Sequence, residues 1–76
     1  MYKSGSVVRK GINDYIEYYF NELDYKIYLI YLDEKHKEVK EYRAEYPDEK
    51  IIGTYKEMRE AQFKISDILK GYYNRA

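Results

Sequence analysis

The apolar residues Val8, Ile12, Tyr15, Ile16, Tyr19, Phe20 and Leu23 recur at spacings of three and four, the signature of one face of a helix. This spacing predicts a first helix over residues 6–23, capped by Ser4 or Ser6. Gly11 lies inside it and costs about 1 kcal/mol relative to Ala, so Asn13 or Asp14 is an alternative start. Residues 25–46 contain no Gly or Pro and would allow the helix to continue. The apolar faces of 12–23 and 32–46, however, lie on nearly opposite sides of a helical wheel, so one straight rod would need two different partners.

The stretch Tyr25-Lys26-Ile27-Tyr28-Leu29-Ile30-Tyr31-Leu32 is short, rich in Tyr and Ile, and apolar on both sides, as a buried or doubly used strand is. A polar stretch of hairpin-loop length follows, Asp33-Glu34-Lys35-His36-Lys37, with His36 suited to a left-handed position. With residues 34–37 as the loop, Leu32 opposes Val39, Leu29 opposes Tyr42, Ile27 opposes Ala44 and Tyr25 opposes Tyr46. One face then carries Tyr25, Ile27, Leu29 and Tyr31 against Tyr46, Ala44, Tyr42 and the stem of Lys40. On the other face Lys26 meets Glu45, and Tyr28 meets Arg43 as a cation–π pair. A shift of one residue sets charged residues against the apolar row and destroys the match.

Pro47 and Asp48 turn the chain. Thr54 and Glu57 have capping-box spacing, and Tyr55, Met58, Ala61, Gln62, Ile65, Ile68, Leu69 and Tyr72 recur at helical intervals. A second helix from residue 55 to 70 or 72 is expected, with Gly71 as terminator. The expected fold is α+β, a single domain over residues 1–76 in the order helix, strand, strand, helix around a two-stranded antiparallel hairpin. The alternative is an all-α helical hairpin.

Composition narrows the functions. Twelve of the 76 residues are Tyr, against two Phe and no Trp, and tyrosine suits half-buried and binding surfaces. A chain this short buries a modest core. Without cysteine it has neither disulfides nor thiolate metal ligands to staple it. No stretch reads as a signal peptide, and the longest apolar run, residues 27–32, is far too short to span a bilayer. A cytoplasmic protein with no membrane contact is expected.

Chemistry-bearing constellations are missing from the pattern. His36 stands alone between Lys35 and Lys37, with no carboxylate to orient it as a base. The acids Asp33, Glu34, Glu38, Glu41 and Glu45 alternate with Lys35, Lys37, Lys40 and Arg43, the pattern of a solvated, self-screened face rather than a cation loop. The four glycines, Gly5, Gly11, Gly53 and Gly71, are isolated and build no phosphate loop. No catalytic residue, cofactor or metal is expected.

With both helices on one side of the hairpin, Tyr28, Ile30, Leu32 and Val39 would form an apolar patch on the other. Such patches mark interfaces, and Tyr18 and Arg43 are the adjoining anchors. The expected function is therefore non-enzymatic protein binding, with self-association into a homo-oligomer. Compact size, few Gly and Pro and no active site are the build of small viral or mobile-element inhibitors of host machinery. The alternative is a nucleic-acid-binding or transcription-regulatory protein. It would use Lys3, Arg9 and Lys10, joined by Lys56, Arg59, Lys64, Lys70 and Arg75, although fourteen acids balance fourteen bases and leave no basic excess.

Overall fold

The computed structural model describes residues 2–8, 15–32, 35 and 38–73, and within these the side chains of 6–8, 15, 16, 72 and 73 are not described. Among the described residues are five strands, β1 (Lys3–Val8), β2 (Tyr15–Phe20), β3 (Lys26–Tyr31), β4 (Val39–Glu45) and β5 (Ile51–Tyr55), followed by one helix, α1 (Met58–Tyr73). The strands pair antiparallel with their chain neighbours in the order β1-β2-β3-β4-β5. This meander replaces both the helix-strand-strand-helix fold and the all-helical hairpin expected from the sequence.

The correction has a physical cause in the first third of the chain. Tyr15-Ile16-Glu17-Tyr18-Tyr19-Phe20 is built of aromatic and β-branched residues, which fit a pleated surface better than a helix. As β2 it hydrogen-bonds β1 on one side and β3 on the other, with Tyr18 opposite both Gly5 and Tyr28. An inner strand is apolar on both faces. Sampled at every third or fourth residue, such a strand imitates a helical stripe. Gly11 and the alternative caps Asn13 and Asp14 lie outside the described residues.

The hairpin register expected for residues 26–30 is the one observed. Lys26 pairs with Glu45, Ile27 with Ala44, Tyr28 with Arg43, Leu29 with Tyr42 and Ile30 with Glu41. Beyond Ile30 a bulge intervenes, so that Tyr31 opposes Val39 instead of Lys40, and the Leu32 amide donates to the Glu38 carbonyl at 2.8 Å. The bulge removes a lysine from the position opposite Tyr31 and substitutes a valine. Inserting one residue is how a strand re-aims its side chains.

The β2–β3 and β4–β5 connections share one turn geometry. In each, a three-residue loop is closed by paired backbone groups, Asn21 with Tyr25 and Tyr46 with Lys50, and its last residue is left-handed, Asp24 at φ 66° and Glu49 at φ 74°. This is the common three-residue hairpin. Asn21, buried, reinforces the first by accepting from the amides of Leu23 and Tyr25, both at 3.0 Å. Pro47 and Asp48 turn the second as expected, and the Asp48 carboxylate accepts from the Lys50 amide at 3.0 Å.

Helix α1 lies over β3, β4 and β5 and touches neither β1 nor β2. Ala61 and Ile65, four residues apart on one helical face, close on Ile27 and Ala44, and all four are completely buried. Met58, Leu69, Tyr25, Tyr42, Ile52, Tyr55 and Tyr2 pack around them. Thr54 belongs to β5, so it does not cap the helix, and Gly71 lies within the helix rather than ending it.

Candidate functional site

Side chains opposite one another in an antiparallel sheet point to the same face. The Ile27–Ala44 row therefore faces the helix, and the adjacent row, Gly5-Tyr18-Tyr28-Arg43-Thr54, lies on the side that α1 leaves uncovered. The rings of Tyr18 and Tyr28 are 5.2 Å apart, Phe20 packs 5.7 Å from Tyr18, and the Arg43 guanidinium sits 5.5 Å from the Tyr28 ring centre. Tilted rings at these separations attract through their quadrupoles, and the cation adds to this at the end of the row.

Gly5 shapes the outer end of the row. A Cβ at that position would stand 2.8 Å from Cζ of Tyr18, so the outer end of the Tyr18 ring occupies the space over the bare backbone. Gly53, on the opposite edge, is covered in the same manner by Tyr55, whose hydroxyl would be 2.8 Å from an added Cβ. An aromatic ring laid over a strand glycine replaces the missing side chain.

At the arginine end of this row an ion pair ties the surface to a buried carboxylate. Arg43 donates through Nε to Glu45 at 2.8 Å, with the Glu45 side chain 5% exposed and that of Arg43 21%. A buried carboxylate needs such a partner. Lys26, opposite Glu45 in the register, donates to the Asp24 carboxylate at 3.1 Å. Burial works against the Lys26 ammonium, but the hydrogen bond and charge of Asp24 outweigh it, so its pKa is raised.

Of the residues expected at an interface, Tyr18, Tyr28 and Arg43 come together in one row, with Ile30 in the next row of the same face. Tyr28 is buried at 5% exposure and forms the floor of the cluster, while Tyr18, Phe20, Ile30 and Arg43 are half-buried and form its surface. Val39 stands apart, moved by the bulge into the row of Tyr31. Leu32 is exposed beyond the end of β3. Phe20 is the member that sequence reading missed, because the helical assignment had spent it on a core stripe.

Lys3 is exposed on the edge strand β1. Arg9, Lys10, His36 and Arg75 lie outside the described residues. On α1 and just before it, Lys56, Arg59, Lys64 and Lys70 are exposed but interleaved with Glu57, Glu60 and Asp67. An open cleft of about 540 Å³ runs between α1 and the β2–β3 turn, lined in part by Tyr2, Glu22, Phe63, Ser66 and Lys70. Burial and the charge of Glu22 raise the Tyr2 pKa. Among the described residues no three acidic or imidazole ligands cluster as a metal would need, and no helix is long and apolar enough to cross a membrane. No family model, curated protein or solved structure matches this chain.

Proposed function

We propose that the protein is a non-enzymatic, self-associating binding module of the cytoplasm that occupies a surface of a protein partner, in the manner of a small inhibitor. The observation that carries this reading is the helix-free face, where the half-buried Tyr18, Phe20, Ile30 and Arg43 surround the buried Tyr28. Aromatic and arginine side chains framed by charged residues are what the energetic centres of interfaces are made of. Phosphate binding is the weaker reading, since the helix mixes its bases with acids.

Capture from the native host, comparing three chains, tests the proposal. Ile30→Asp places a charge in the aromatic face, whereas Phe63→Ser alters an exposed residue on the helix. The wild type and Phe63→Ser retain the same partner and Ile30→Asp loses it, with all three equally folded by circular dichroism. Equal capture by Ile30→Asp would count against the face.

A further inference from the structure

The cleft between α1 and the β2–β3 turn lies on the helix side of the sheet, away from the aromatic face. Its volume of about 540 Å³ falls within the roughly 300–1,000 Å³ of small-molecule sites. Asn21 lines it and is 9% exposed. The backbone amides of Leu23 and Tyr25 both donate to one end of its side chain, at 3.0 Å. Amides only donate, so that end is the carbonyl oxygen and the other is the NH₂ group. This NH₂ group has no partner among the described residues. Asn21 pairs with Tyr25 across the turn, and Tyr25 packs on the helix-facing core. Opposed residues share a face, so the Asn21 side chain stands on the side where the cleft lies. A buried donor without an acceptor is costly, and such groups occur where a water or a ligand supplies the missing oxygen.

The facing wall adds donors and an apolar surface. Gln62, Ser66 and Lys70 recur every four residues and form one stripe along α1 that borders the cleft,. Lys70 is exposed and has no carboxylate partner among the described residues. Burial, and then Glu22, raise the Tyr2 pKa, so its hydroxyl keeps its proton. Phe63, 67% exposed, and Leu69 supply the apolar lining. Among the described residues Glu22 is the one acid on the lining, and it has a partner of its own.

We infer that the cleft binds a small amphipathic carboxylate, its oxygens accepting from the Asn21 NH₂ group and the Lys70 ammonium and its apolar body against Phe63 and Leu69. Donors short of acceptors call for a ligand that brings acceptor oxygens, and a cationic donor among them favours an anion. The apolar wall favours a ligand with a hydrocarbon body over a bare ion, as apolar lining with a few placed polar groups does in small-molecule sites. The site is independent of the protein-binding face, since the two lie on opposite sides of the sheet.

Titration of the isotope-labelled chain with octanoate and with phenylbutyrate, followed by two-dimensional NMR, tests this. Either probe should shift the Asn21 side-chain NH₂ signals and the backbone amides of residues 62–70 saturably. The neutral alcohols octanol and phenylbutanol should bind at least about tenfold more weakly. Asn21→Asp keeps an oxygen for the Leu23 and Tyr25 amides but replaces the donor by a second acceptor, and Lys70→Gln removes the charge at an exposed position. Each should weaken carboxylate binding at least about tenfold, whereas Lys64→Gln, off the stripe, should leave it unchanged. No saturable shift with either carboxylate, equal affinity for the alcohols, or full affinity in either variant would overturn the inference. Should Asn21→Asp fail to fold, full affinity in Lys70→Gln overturns it alone.

Discussion

Tyr31 and Glu17 form the most informative residue-scale contact on the helix-facing side of the sheet. The Tyr31 hydroxyl donates to Glu17 Oε2 at 2.6 Å, and burial, followed by that hydrogen bond and the carboxylate charge, pushes its pKa up to about 12. In the unfolded chain the phenol ionises near its ordinary value of about 10. The Tyr31 contribution to stability is therefore intact below pH about 10 and is lost as pH rises from there through about 12, because the unfolded state releases its proton first. Tyrosinate absorbance during alkaline titration should show Tyr31 and Tyr2 ionising later than an ordinary phenol, and Tyr31→Phe should remove the component near pH 12. Asn21 supplies a second test. Replacing it by Ala strands the amides of Leu23 and Tyr25, and a denaturant titration should show a loss of roughly 1–3 kcal/mol. Neither contact was legible in the sequence, since Glu17 and Asn21 are ordinary polar residues until β2 and its turn are known to be sheet. The Tyr28–Arg43 contact was legible, because it follows from hairpin register alone.

Elements differ in how plainly their residues announced them. The β3–β4 register was readable because only one alignment keeps Ile27, Leu29, Ala44 and Tyr42 on a common face. Helix α1 was readable from the recurrence of Met58, Ala61, Ile65 and Leu69, though its start falls three residues later than expected and its end passes Gly71. Strands β1, β2 and β5 were not read. Lys3–Val8 shows no alternation, β2 imitates a helix, and Ile51–Tyr55 is short and contains a glycine. The apolar character of β3 on both faces was legible, but the expected hairpin left its outer edge unpaired, where β2 in fact pairs with it. The helix–sheet contact predicts that Ile65→Ala costs about 2–5 kcal/mol, a large share of the stability of so small a domain. Phe63→Ser, at an exposed position, should change it by about 0.5 kcal/mol or less. Thermal denaturation separates the two. In the β4–β5 turn, Glu49→Gly relieves a left-handed strain of about 1–2 kcal/mol and costs about 0.5–1 kcal/mol in backbone entropy. The melting temperature should therefore rise slightly.

At the scale of the molecule, one helix on one side of a five-stranded meander divides the protein into a core face and an aromatic face. The sequence expectation placed two helices on one side of two strands, and of the uncovered patch it expected only Tyr28 and Ile30 share the helix-free face, while Val39 and Leu32 do not. The aromatic cluster and the Arg43–Glu45 pair both belong to the face of the sheet that the helix does not cover. A neutral net charge and a helix of mixed charge predict that a gel-shift assay in low salt shows no retarded nucleic acid. A shift that weakens steeply with added salt would instead indicate phosphate contacts. The most direct measurement is hydroxyl-radical footprinting of the chain alone and bound to its captured protein partner. Tyr18 and Phe20 should become protected while Phe63 keeps its reactivity. Protection of Phe63 with Tyr18 and Phe20 unchanged would contradict the assignment of the helix-free face as the binding surface.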